Sequence, residues 1–317
     1  MKIVVLEAAS IGKDISWKPL ERFGEVVLHG SLLQENVKDA VKDADIIVPN
    51  KLIIDKSVLE GSSVKMVCEA ATGYNNVDID YCKNAGIRVT NVSGYSTESV
   101  AQHTVALLLS VYEHLDYYCS YVENGEYTRS KKFSHVDCQF HEIAGKTWGI
   151  AGLGAIGRQT AKLAQAFGAE VIYYSASGNA YDVLYQRVDF DELLEKSDII
   201  SVHCPLNEKT QGLFRADAFK KMKNTAVLIN VARGPVVDNE ALAEALKKEE
   251  IAAAGLDVFE EEPLSFANPL NEIKDRDRLI MTPHIGWGTI EARTRLLCEL
   301  EKNIQSFLDG AKRNVIV

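Results

Sequence analysis

Three side chains able to hold an anion or move a proton stand just past apolar, strand-like runs: Arg233 after AVLINVA, Asp257 after AAAGL and His284 after LIMTP. Open α/β sheets bind ligands beyond the carboxyl ends of their strands, so the three are expected on one rim. An imidazole titrates near neutral pH and can pass a proton, while a guanidinium offers a planar fork to a carboxylate. Each also has an ordinary reading: a surface charge for the arginine, a cap for the aspartate, a structural group for the lone histidine. Three together on one rim of a sheet fit that reading poorly. A related question sits in GLDVFEEEPL, where Glu260, Glu261 and Glu262 run up against a proline. A charge run is ordinarily a solvated face, and only a need for a carboxylate elsewhere in the chain would single one out.

What such a sheet would bind is signalled by GLGAIG, Gly152 to Gly157, which follows the apolar WGIA and opens the helical stretch RQTAKLAQAF. The hexamer alone is a weak motif, but strand, turn and helix in that order give it meaning. Gly152 permits the sharp turn, Gly154 lets a pyrophosphate approach the backbone, and Gly157 allows close packing of helix on strand. The fingerprint also expects an acid about 20 residues on, gripping a ribose 2′-hydroxyl. Here the next strand, EVIYY, ends at Ser175 in the run SASGN, with no acid. An acid would repel the extra phosphate of NADP. The cofactor is therefore NAD or NADP, with Ser175, Ser177 and Asn179 as hydrogen-bonding candidates and Arg187 the first arginine downstream.

These groups need a scaffold, and the hydrophobic pattern supplies one. KIVVLE, EVVLHG, DIIVPN, VKMVCEA and IRVTNV read as strands separated by helical stretches such as Gln34 to Ala44 and Asn75 to Ala85. A second alternation starts at Lys146 with TWGIAGLG, EVIYYS, DIISVHCP, AVLINVAR, AAAGLDV and LIMTPHIG. Such alternation predicts an α/β fold with parallel sheets covered on both faces. Between the two sets, apolar residues recurring at three- and four-residue steps predict one long helix from Glu98 to about Tyr118, followed by a polar, aromatic loop from Glu123 to His141. A final helix is expected over Glu291 to Asp309.

Composition bounds the function. The 317 residues are 46% hydrophobic, enough for about two domains. A formal net charge of −10 and the lack of long basic runs argue against nucleic acid. No uncharged apolar stretch is long enough to span a bilayer, and KIVVLE does not resemble a secretory leader. The six cysteines are scattered, with no metal-ligand spacing, which reads as reduced thiols in a cytoplasmic protein without a metal site.

The set GLGAIG, VARGPVVD, GLDVFEEEP and TPHIG closely resembles the D-isomer-specific 2-hydroxyacid dehydrogenase family, in the family's order over essentially the whole chain. The resemblance implies a Rossmann-type dinucleotide-binding domain, residues 99–288, inserted into a smaller flavodoxin-like substrate domain formed by residues 1–98 and the terminal helix of 289–317. It implies a keto acid held between the domains, and a homodimer built around the Glu98 to Tyr118 helix and the loop after it. His284 would be the proton donor, Arg233 the holder of the substrate carboxylate, and Glu262 the acid paired with His284, leaving Glu260 and Glu261 as solvated charges. Asp257 would face the nicotinamide carboxamide. The resemblance also assigns Ala155, Ile156, His203, Pro205, Val231, Ala232 and Gly286 to the cofactor. Amides of Thr72, Gly73 and Tyr74 in ATGYNNVD would meet the substrate, with Lys51 as an added cation.

Within the family, TPHIGWGTIEARTRL, NVSGYSTESVAQHT and ATGYNNVD look most like the glycerate dehydrogenase (hydroxypyruvate reductase) branch. The formate dehydrogenase branch would carry glutamine in place of Glu262. The expected reaction is reduction of hydroxypyruvate or glyoxylate, with D-lactate or bulkier D-2-hydroxyacid dehydrogenation as the alternative. From another class, an NAD(H)-sensing corepressor on the same fold is the competing reading.

Overall fold

The computed structural model describes residues 1–178 and 184–317. The chain forms two compact units, one of Met1–Ser96 with Gly288–Val317 and the other of Thr97–Trp287.

The first unit holds β1 (Lys2–Val5), β2 (Glu25–Leu28), β3 (Ile46–Val48), β4 (Met66–Cys68) and β5 (Arg88–Thr90). All pairs are parallel, in the order β2-β1-β3-β4-β5. β1, β3 and β4 are short apolar runs buried on both faces, as a sheet covered by helices requires. The helix Ile290–Leu308 belongs to this unit. Thr289 caps it by accepting from the Ala292 amide, and Leu296, Leu297, Leu300 and Ile304 form its buried stripe.

The second unit holds β6 (Thr147–Ala151), β7 (Glu170–Tyr174), β8 (Gln186–Arg187), β9 (Ile199–Val202), β10 (Val227–Asn230), β11 (Ala253–Leu256) and β12 (Leu279–Met281). Their order is β12-β11-β10-β9-β6-β7-β8, all parallel, so the connection reverses direction between β6 and β9. That reversal opens a crevice at the carboxyl ends of the two strands. Alternation along the strands sends Trp148, Ile150, Ile199, Val227 and Ile229 to one core, and Ala151, Ile200, Val202, Leu228 and Leu256 to the core on the opposite face.

Three expectations need correction. The long helix is broken: Thr97–Tyr112 ends, His114 adopts φ 50°, and a second helix runs Leu115–Glu123. The first of these packs Val100, Leu107, Leu108 and Val111 into the core, whereas the second buries no residue, so the apolar periodicity carried on after the packing it served had ended. The stretch after it is not all loop, since Glu126–Ser130 is helical and His135 stacks on Tyr121 with ring centres 3.9 Å apart. Finally, β8 was not foreseen. Its pairing sets Arg187 beside Tyr173, two residues before Ser175, although twelve positions separate Arg187 from Ser175 in the chain. Asn179 lies outside the described residues.

Candidate active site

The glycine loop has the geometry that a pyrophosphate requires. Gly152, at φ 105°, ends β6 where a methyl group would lie 2.6 Å from the Cys204 amide nitrogen. A methyl at Gly157 would lie 2.2 Å from the Gly152 carbonyl, so the helix Ala155–Ala166 can seat on the strand only with glycine there. Gly154 precedes that helix and faces open space. Beside the loop lies a cavity of about 610 Å³ lined by Gly152, Gly154, Ser175, His203 and Pro205, all assigned to the cofactor from sequence, and by Arg158, Ser177, Asn207 and Lys209. Phosphate acceptance at a helix start, a polar ribose end and this volume fit a dinucleotide. Ala155, Ile156 and Gly157 form the first turn of the helix, while Val231, Ala232, Asp257 and Gly286 lie on the later strands' rim and do not line the cavity.

His203 contributes shape rather than charge. Its Nε2 lies 3.0 Å from Ser201 Oγ, its Nδ1 is buried without a hydrogen-bond partner, and burial pushes its pKa down to about 3. The ring is therefore neutral at physiological pH. Ser201 in turn accepts from the Trp148 indole at 2.9 Å.

The three strand-end groups lie on adjacent strands, since β10, β11 and β12 are neighbours. Asp257 directly follows β11 and is 1% exposed. Its carboxylate accepts from Thr282 Oγ1 (2.6 Å), the Ile285 amide (2.8 Å) and the Gly286 amide (2.7 Å), and lies 3.3 Å from His103 Nε2. Burial works against its ionisation, but the hydrogen bonds from His103, Thr282, Ile285 and Gly286 outweigh that and hold it below the usual carboxylate value. Both oxygens thus face the loop that carries His284. The work of Asp257 seen here is to anchor that loop, which the sequence reading had not separated from a contact with the cofactor. His103, nearly two turns into the helix Thr97–Tyr112, was missed altogether. Its only signal was a titratable ring just before the apolar run VALLL, Val105 to Leu109.

His284 sits in that anchored loop at φ 55°, a left-handed conformation unusual for a residue with a Cβ. Its Nδ1 is 2.6 Å from Glu262 Oε2. Glu262 Oε1 accepts from the Phe259 amide at 3.0 Å, so the carboxylate is itself oriented. Arg233 follows β10 and donates from Nη1 to the Ala232 carbonyl at 2.7 Å, while Asn230 bonds both sides of the turn. The next residue locks two loops together: a methyl at Gly234 would lie 1.7 Å from the Phe259 carbonyl oxygen. The Arg233 turn therefore lies flush against the loop that ends in Glu262. Glu260 is exposed, and it also accepts from the Asn239 amide at the start of the helix Asn239–Lys247. A carboxylate there satisfies a backbone donor that the helix cannot.

In the first unit, Lys51 is exposed just past β3, and Thr72, Gly73 and Tyr74 follow β4 on the same rim of the sheet. The turn is fixed by Thr72 Oγ1 donating to Val92 O (2.9 Å) and by Asn91 donating to the Thr72 carbonyl (2.6 Å).

Residues 105–286 match the family model described as D-isomer specific 2-hydroxyacid dehydrogenase, NAD binding domain. The chain belongs to that family. It is 38% identical over its full length to a hydroxypyruvate reductase of Blautia hydrogenotrophica, 99% of which is covered. It is 36% identical to a glycerate dehydrogenase of Methylorubrum extorquens, over 89% of this chain and 88% of that one. Among solved structures it resembles the TT0316 protein of Thermus thermophilus, with a TM-score of 0.89, 31% identity and full coverage of both chains. As a 2-hydroxyacid dehydrogenase the protein is an oxidoreductase that uses NAD or NADP, in keeping with the glycine loop and cavity. Among the described residues, no group of three or more His, Cys, Asp or Glu side chains is arranged to hold a metal ion. No described helix is long and apolar enough to cross a membrane.

Proposed function

We propose that this dehydrogenase reduces a small, unphosphorylated 2-keto acid, hydroxypyruvate or glyoxylate, to the D-2-hydroxy acid. The observation that carries the reading is the His284–Glu262 pair, with Nδ1 and Oε2 2.6 Å apart, beside a turn that presents Arg233. A nicotinamide cofactor, when bound, would supply the hydride. A carboxylate on Nδ1 fixes the ring orientation and leaves Nε2 of His284 to deliver the proton to the developing alkoxide. Arg233 binds the substrate carboxylate through its fork and stabilises charge on the carbonyl oxygen. In the first unit, the backbone amides of Thr72, Gly73 and Tyr74 and the charge of Lys51 are the groups proposed to meet a carboxylate of the substrate. The 2-hydroxyacid dehydrogenase relatives named for hydroxypyruvate and glycerate support this substrate size.

The protein is proposed to work in the cytoplasm as a homodimer. The face formed by the helix Leu115–Glu123 and the segment after it exposes Leu115, Val122, Phe133, Val136 and Phe140, an apolar surface suited to a second copy.

Oxidation of NADH and of NADPH should be followed by absorbance with hydroxypyruvate, glyoxylate, pyruvate and phenylpyruvate. The expected result is the highest kcat/KM with hydroxypyruvate or glyoxylate. A preference for pyruvate or phenylpyruvate would move the assignment to another dehydrogenase of the family. No turnover with any of them, despite cofactor binding, would favour a nucleotide sensor.

A further inference from the structure

Glu69, one residue past β4, is completely buried, and the chemistry proposed so far makes no use of it. Its surroundings are wired unlike those of Glu7, which follows β1 on the same rim. Glu7 Oε2 accepts from three successive amides, those of Asn50 (2.8 Å), Lys51 (2.8 Å) and Leu52 (3.1 Å), as a carboxylate does. Glu69 Oε2 accepts one amide hydrogen from Asn76 Nδ2 at 3.2 Å, and Oε1 is buried without a partner. Asn76 Nδ2 also donates to the Leu52 carbonyl at 3.0 Å, so one side chain ties the segment carrying Lys51 to the one carrying Thr72 to Tyr74. β1, β3 and β4 are adjacent, which places Lys51, on the middle strand's loop, between the two acids.

We infer that Glu69 is a positioning residue of the keto-acid site: an uncharged carboxyl group that pins the 50–52 and 72–76 loops through Asn76 and adds no negative charge of its own where a substrate carboxylate must bind. The inference rests on the reading that these loops bind substrate. A buried carboxylate with so few donors is disfavoured, whereas a carboxylic acid with one accepted hydrogen bond is tolerated. The charged and titratable groups facing Glu69 are Lys51, Glu7 and Cys68. Burial raises the Glu69 pKa well above the usual carboxylate range, outweighing the Asn76 hydrogen bond and the pull of Lys51, and Glu7 pushes it further up. Cys68 is pushed up to about 12 by burial and stays a thiol.

The sign follows from proton linkage. With the folded-state pKa raised, the stability that the bound proton contributes is complete below the usual carboxylate pKa and is lost as pH rises through the raised value. Glu69→Gln is a permanently neutral isostere, so its stability relative to the wild type should rise with pH. The first measurement is therefore the denaturation midpoint of the whole protein, wild type and E69Q, from mildly acid to alkaline pH. A gap that widens with pH supports the inference, and parallel curves overturn it. The second is KM for hydroxypyruvate over the same range. The wild-type KM should rise severalfold toward alkaline pH as Glu69 ionises, E69Q should stay flatter, and kcat should match in the two proteins. Identical KM profiles overturn the inference. Carbon-13 NMR of glutamate-labelled wild type covers the case of a variant that does not fold: one buried glutamate must titrate far above the others, and its absence overturns the inference. The denaturation and NMR readings hold even if hydroxypyruvate is not turned over, so failure of the substrate assignment is distinguishable from failure of the Glu69 role.

Discussion

Glu262 is the residue whose contribution is easiest to isolate, because it touches the proposed proton donor while the donor's own loop is held by Asp257. In Glu262→Gln the amide keeps the size and one polar contact but removes the negative charge. Keto-acid reduction at neutral pH is expected to fall by about 10- to 100-fold in kcat, within the usual range for proton-transfer groups. NAD(P)H affinity by fluorescence titration should stay near the wild-type value; an unchanged kcat would take Glu262 out of the chemistry. At this scale part of the site could be read directly. Arg233, Asp257 and His284 could be named because each interrupts an apolar run at the point where a strand must end. The anchoring role of Asp257, the contact of His103 with it and the burial of Glu69 could not, since each depends on a partner from a distant segment that sequence spacing does not reveal.

At the scale of elements, the site depends on two loops in van der Waals contact. Gly234 lies so close to Phe259 that a methyl would also sit 2.4 Å from the Glu260 amide nitrogen. Backbone atoms on both sides leave no flexible end to move. Gly234→Ala should therefore push the Arg233 turn away from the Glu262 loop. Displacement on the order of 1 Å in a reacting constellation costs about 100-fold in rate, so kcat should drop by at least that order. The destabilisation should be about 1–3 kcal/mol, as for overpacking elsewhere. Steady-state kinetics with a denaturant titration check both; near-normal kcat would mean the two loops need not touch. The elements themselves were legible as to kind, because β-branched runs and three- and four-residue periodicity are local signals. The break at His114 was not, because it is set by where the packing partner of the helix stops.

The whole molecule is two parallel sheets of different strand order, and the order is the least local property of all. Alternation of strand and helix announces parallel pairing, yet only the handedness and adjacency of crossovers decide which strand lies beside which. Placement of the cofactor crevice between β6 and β9 follows from that order. Beyond the single chain, the homodimer proposed above uses a face that bears Phe133 at 95% and Val136 at 67% exposure. Replacing both with aspartate should convert a dimer into a monomer in light scattering, with the circular dichroism of the fold kept. A wild-type monomer, or a double variant that remains dimeric, would rule that face out.

The backbone at His284 carries a further implication for anyone selecting sturdier versions of the enzyme. A side chain in the left-handed region costs roughly 1–2 kcal/mol, and glycine there would remove that cost. Heat resistance and turnover therefore pull in opposite directions at this one position. A screen that scored only survival at high temperature would be drawn toward sequences without the imidazole, and the rigid ties from Asp257 are what keep the strained arrangement in place.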